Sequence, residues 1–184
     1  MKQTELIINL ARLERRGVSV LTKKDLEKLF PSEGEKAMEK SLQRMVKEGL
    51  MIRAARGIYV NALAAIRNPS LIVEDVAKAL RPGELSYISL ESILSEHGVI
   101  SQIPVSRLTV MTTGAKGTHK TPFGTIEFTH TKRSVPDILN RTIFVKDRPL
   151  RIAKKRAAVT DLLRVGRNTD MIDYEELEEE GDNQ

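Results

Sequence analysis

The sequence has no cysteine and no tryptophan, and its aromatic residues make up only 4% of 184 positions. Without a thiol there is no disulfide scaffold, no cysteine nucleophile and no thiolate metal site. With so few rings, any core must be built from Leu, Ile, Val, Met and Ala. Long hydrophobic runs are missing too: the longest apolar stretches are a few residues, against the roughly 20 that a spanning helix needs. Residues 1–13 interleave charges with apolar side chains, unlike a secretory signal. What remains is a soluble composition, 40% hydrophobic and 30% charged, at a length that suits one domain or two small ones. These features predict a cytoplasmic protein without a membrane partner.

The formal charge of +5 conceals a sharper division. Residues 1–67 hold 14 Lys and Arg against 8 Asp and Glu, and residues 68–168 hold 16 against 9. Residues 169–184 carry no base and eight acids. A basic body suits a polyanionic partner, because neutralising phosphates releases their condensed counterions.

The first third reads as three helices and a hairpin. Leu6, Ile7, Leu10 and Leu13 recur at helical spacing until Gly17. Thr22-Lys23-Lys24-Asp25 has the form of a capping box, and Leu26, Leu29 and Phe30 give the second helix an apolar side before Pro31. A third helix runs from about Glu33 to Glu48 on Met38, Leu42, Met45 and Val46, with Gly49 at the position of a left-handed cap. The period then changes: residues 50–54 and 58–60 read as strands around Ala55-Arg56-Gly57. This order predicts a winged helix-turn-helix over residues 1–67, with its third helix in the major groove and its hairpin along the phosphates. Lys36, Lys40, Gln43, Arg44 and Lys47 lie off the apolar face, and Arg53 and Arg56 flank the hairpin tip. Gln suits the edge of adenine and Arg that of guanine. Glu35 and Glu39 dilute this basic face, and small winged helices also dock proteins.

Arg67-Asn68-Pro69-Ser70 marks the expected boundary of a second domain over residues 68–168. Leu71, Val76, Ala79 and Leu80 predict a short helix, and Tyr87 to His97 another. Residues 107–113 and 125–130 read as strands, residues 143–145 and 150–152 as shorter ones, and residues 153–164 as a closing helix. The expectation is a mixed α+β domain with a small antiparallel sheet. Residues 169–184, acidic and nearly free of aromatics, read as a disordered tail that screens the basic body.

No catalytic constellation emerges. The stretch from Gly114 to Thr121 fails as a phosphate loop because His119 stands where glycine is required, and it reads as a basic turn. His97, His119 and His130 share no metal-ligand spacing, so neither a metal nor another cofactor is expected. Asp137, Asp147 and Asp161 are scattered. A second basic patch is expected from Arg107, Lys116, Lys120, Lys132 and Arg133 together with Arg148, Arg151, Lys154, Lys155 and Arg156.

Several short motifs in order resemble the AbiEi-type antitoxins of type IV, abortive-infection toxin–antitoxin systems. Arg56-Gly57-Ile58-Tyr59 resembles that family's wing. The run from Tyr87 to Leu94, followed by His97-Gly98 and Ile100, resembles its Y-x-S-x-x-S-A-L…H-G helix, with Ile93 in place of the common Ala. Thr121-Pro122-Phe123-Gly124 and residues 157–163 with Asp161 resemble later landmarks. The resemblance implies a winged helix that binds repeats in its own promoter and represses its operon. It also implies a second domain that counteracts a nucleotidyltransferase-like toxin encoded alongside, without a stable complex. The expected partner is double-stranded promoter DNA carrying inverted repeats; the oligomeric state is open. The protein is read as no enzyme. Two alternatives stand beside this reading: a protein-docking adaptor, or a nucleic-acid or nucleotide-processing enzyme using Asp137, Asp147 or His119.

Overall fold

The computed structural model describes residues 2–100 and 106–178. The chain is mixed α+β and divides into two compact units, Met1–Leu80 with Lys120–Phe123, and Arg81–His119 with Gly124–Gln184.

In the first unit, helix α1 (Gln3–Glu14) buries Leu6 and Leu10. Strand β1 (Val20–Thr22) leads directly into α2 (Lys23–Leu29). The capping box forms as the T-x-x-D spacing predicts: the Asp25 N–H donates to the Thr22 hydroxyl at 3.2 Å and the Thr22 N–H to the Asp25 carboxylate at 2.9 Å. Burial works to raise the Asp25 carboxyl, but these Thr22 donors and nearby Lys28 outweigh it and hold the group below its ordinary value. Helix α3 (Glu35–Lys47) buries Met38, Leu42 and Met45 and ends at Gly49, whose φ of 71° an L side chain rarely adopts. Strands β2 (Met51–Ala55) and β3 (Ile58–Asn61) follow, and the antiparallel sheet runs β1-β3-β2. Leu6, Leu26, Phe30, Met38, Leu42 and Met51 belong to one apolar core beneath the three helices and the sheet.

The expected boundary at Arg67-Asn68 proves to be a junction between two short helices of this unit. Asn61 caps α4 (Ala62–Arg67) by accepting from the Leu63 N–H at 3.1 Å. Pro69 opens α5 (Pro69–Leu80), where its missing N–H costs nothing and its fixed φ suits the first turn. Helix α5 packs on β1 and β3, so the unit extends to Leu80.

The second unit differs from a small antiparallel sheet. Strands β4 (Ser86–Ile88), β5 (Arg107–Thr112), β6 (Gly117–Thr121), β7 (Gly124–His130), β8 (Thr142–Ile143) and β9 (Arg151–Ala153) form one six-stranded sheet in the order β6-β7-β5-β4-β9-β8. It is mixed: β4 runs parallel to β9 and β5 parallel to β7, while β4–β5 and β8–β9 are antiparallel. The unit also contains α6 (Glu91–Glu96), α7 (Val135–Arg141), α8 (Lys155–Val165) and a last short helix α9 (Tyr174–Glu178).

Three further expectations are corrected here. The single helix expected from Tyr87 to His97 is a strand, a sharp turn and a helix, because Tyr87 and Ile88 are buried in the middle of the sheet between β5 and β9. The basic turn expected from Gly114 to Thr121 contains edge strand β6, whose residues alternate between exposed and half-buried. The tail is not disordered from Thr169 onward: Thr169–Met171 forms a 3-10 turn, Ile172 is buried, and the Asp173 N–H donates to the Val99 carbonyl at 2.9 Å. The rest of that expectation, residues 179–184, lies outside the described residues.

Candidate nucleic-acid interface

All seven residues expected to face DNA, namely Lys36, Lys40, Gln43, Arg44, Lys47, Arg53 and Arg56, are exposed. At about 100° per residue, the five on α3 share an arc of roughly 100°, opposite buried Met38, Leu42 and Met45. No carboxylate among the described residues takes up Lys36, Lys40 or Lys47. The acids that dilute the face in sequence lie on its flank, where Lys23 Nζ bonds Glu35 and Glu39 at 3.1 Å each. That pairing raises the Lys23 ammonium above its ordinary value. The hairpin that carries Arg53 and Arg56 turns at Gly57 with φ 74°, a left-handed conformation that favours glycine. A register shift between Arg53 and Ala55 leaves one extra residue on β2, and such bulges twist and re-aim a hairpin end.

The ten residues expected as a second basic patch separate into two sets. Lys116, Lys120, Lys132, Lys154 and Arg156 are exposed, and Lys155 is half-buried. The arginines mostly serve the fold: Arg107 pairs with Glu127 at 3.2 Å and Arg148 with Glu96 at 2.8 Å. Arg151 donates to the Thr142 hydroxyl at 2.7 Å, stapling β9 to β8. Arg133 meets Asp161 at 3.0 Å and Asp137 at 3.3 Å.

Asp161 is the centre that sequence spacing did not reveal. Its carboxylate is fully buried, at 0% exposed. One oxygen accepts from the Tyr87 hydroxyl at 3.0 Å and the Ser89 hydroxyl at 2.9 Å. The other accepts from Arg133 at 3.0 Å, and Arg141 lies 3.6 Å away. A buried charge is tolerated only when paired and hydrogen-bonded, as this one is. Burial, with Asp161 facing it, pushes the Tyr87 phenol well above its ordinary value, so it stays a proton donor. Tyr87, Ser89 and Asp161 all belong to the motifs that carry the family resemblance, 72 to 74 residues apart in the chain. A second network lies nearby in sequence: Arg167 bridges Glu91 and Glu127, and the Asn168 amide donates to Glu91 at 2.9 Å.

Between β4 and α6, Leu90 has φ 58° and ψ −141°. A strained strand-to-helix turn of this kind presents the nucleophile in some hydrolases. Here the residue is a leucine, fully buried, with no atom that could attack. The three enzyme candidates do not share a partner. Asp137 pairs with Arg133, and Asp147 stands exposed in a left-handed turn. His119 packs edge-on against Phe128 beneath the Arg81 guanidinium, and burial together with that charge lowers its imidazole. Among the described residues, no three His, Asp or Glu side chains group so as to hold a metal, and no helix is long and apolar enough to cross a membrane.

No protein-family model matches the sequence, and no curated protein matches it. The reading of the α3 face therefore rests on the residues and their placement.

Proposed function

We propose that α1, α2, α3 and the β2–β3 hairpin form a winged helix-turn-helix that binds promoter DNA, and that the chain represses its own operon as a type IV antitoxin. The observation that carries the DNA half is the face of α3, where Lys36, Lys40, Gln43, Arg44 and Lys47 stand together and exposed. In this reading Gln43 and Arg44 present bidentate side chains to base edges. The lysines neutralise phosphates and release counterions, and Arg53 and Arg56 follow the backbone beside the groove. Inverted repeats would be read by two protomers or two half-site encounters.

The antitoxin half is supported by the resemblance alone. It has the second unit counteract a nucleotidyltransferase-like toxin in the cytoplasm, with no lasting complex. The Asp161 network is then the scaffold that positions this unit's surface. A protein-docking adaptor is the second reading, favoured by Leu63 and Ile66 of α4, which are 61% and 78% exposed.

Binding to the chain's own upstream DNA, measured against shuffled duplex across a salt series, tests the proposal. Selective binding that survives near physiological salt supports the repressor. Weak binding that ignores sequence and disappears with salt would hand the fold to the adaptor reading, in which Ile66→Glu abolishes partner capture.

A further inference from the structure

We propose that Lys23 is the positioning residue of the DNA-reading surface: it joins the hairpin tip to α3 and offsets part of the charge with which Glu35 and Glu39 oppose DNA. This rests on the DNA reading above. Two independent ties converge on this one residue. Its backbone N–H donates to the Gly57 carbonyl at 2.8 Å, at the turn between Arg56 and β3. Its ammonium reaches Glu35 and Glu39 at 3.1 Å each, with Glu27 at 3.9 Å.

The residue type is the wrong one for the helix it begins. Lys23 occupies the first position of α2, immediately after the Thr22 cap. There the helix dipole favours Asp or Glu and disfavours a cation. The three carboxylates offset that preference, but exposed pairs of this kind contribute little to stability. Their consequence lies elsewhere. Glu35 and Glu39 are sequence neighbours of Lys36 and Lys40, on the flank of the exposed arc. Carboxylates within a Debye length of about 8–10 Å of phosphates repel them. With Lys23 in place one of the flank's two negative charges is offset; without it, both carboxylates act in full on the backbone beside the lysines meant to neutralise it.

The test compares wild type, K23M, K23M/E35Q/E39Q and R44E on the chain's own upstream duplex, with circular dichroism and thermal unfolding of each. K23M keeps its backbone N–H, so its fold and unfolding midpoint stay close to wild type. Its DNA affinity should fall about fivefold to tenfold, as for a charge lost at the rim of a nucleic-acid interface. The triple variant should recover to within about twofold of wild type, because it removes the repulsion together with its counter-charge. Wild-type affinity in K23M would overturn the inference. So would a triple variant as weak as K23M, since Lys23 would then be a phosphate contact in its own right. In both cases a loss of binding in R44E leaves the DNA reading standing. A wild-type chain indifferent to DNA sequence would overturn the reading and the inference together.

Discussion

The two halves of the sequence carry nearly the same excess of base, 14 against 8 in residues 1–67 and 16 against 9 in residues 68–168. They differ in what their arginines do. On α3 the lysines stay exposed and, among the described residues, unpaired by carboxylates, while the neighbouring acids are gathered by Lys23. In the second unit five arginines, Arg107, Arg133, Arg141, Arg148 and Arg167, meet carboxylates, while Lys116, Lys120, Lys132, Lys154 and Arg156 stay exposed. Charge counted along a chain is therefore not charge available to a ligand. A guanidinium already bonded to a buried carboxylate adds little field outside, whereas an exposed ammonium row attracts phosphates over a Debye length.

The sharpest way to break this contrast is to remove the second unit's charge sink. Asp161→Asn keeps the volume but leaves Arg133 and Arg141 without their buried counter-charge. Urea unfolding should register a loss of about 3–5 kcal/mol; a loss below about 1 kcal/mol would mean the cluster is solvated and not a keystone.

Charge reversal in the first unit should act on binding instead. Arg44→Glu should cost selective DNA affinity on the order of 1–3 kcal/mol, read from competition between operator and shuffled duplex. Unchanged discrimination would remove Arg44 from the base-reading surface. Arg56→Ala should weaken all sequences alike and lower the salt slope by about 1, and an effect confined to the operator would move Arg56 from phosphate to base.

Half-buried Asp75 sharpens the comparison of acids. Unlike Asp161 it has no arginine partner among the described residues, and burial pushes its carboxyl up to about 6, with Lys78 opposing and Glu74 adding to the rise. A raised acid is favoured in its protonated form, so its burden on stability is absent below about pH 4 and complete above about pH 6. Asp75→Asn should therefore raise the melting temperature at pH 7.5 and leave it nearly unchanged near pH 3.5. Equal effects at both values would assign the gain to helix propensity. The smallest effect belongs to Arg107→Ala with Arg148→Ala. Both arginines are already paired, so DNA affinity should stay within about twofold of wild type. A larger loss would put the second unit back on the nucleic acid.

How much was legible in the sequence follows from how local each determinant is. The Thr22-x-x-Asp25 box, Gly49 as the stop of α3 and the Gly57 turn all act within a few residues, and each appears where its spacing predicts. The same grammar starts α7 at Ser134, whose hydroxyl accepts from the Asp137 N–H at 3.3 Å. Strand β4 was illegible for another reason. It is three residues long and buried on both faces, so Ser86-Tyr87-Ile88 shows no alternation and blends into the helix after it. Strand β1 is equally short, and only its antiparallel pairing with β3 makes it a strand. For the candidate site, the α3 face could be listed because helical spacing alone decides which residues share an arc. Lys23 could not, since its partners lie 12 and 16 residues away.

By itself the sequence determined the periodicities, the caps, the absence of thiol chemistry and the polarity of each helix face, because these depend on neighbours within one or two turns. Tertiary structure alone decided which charges remain exposed. Asp161 is an ordinary acid in the sequence until β4, α7 and the segment after β7 bring Tyr87, Ser89, Arg141 and Arg133 to it. Packing removes the water that would otherwise keep such groups apart, and in the low dielectric left behind a carboxylate must find its partners or lose its charge.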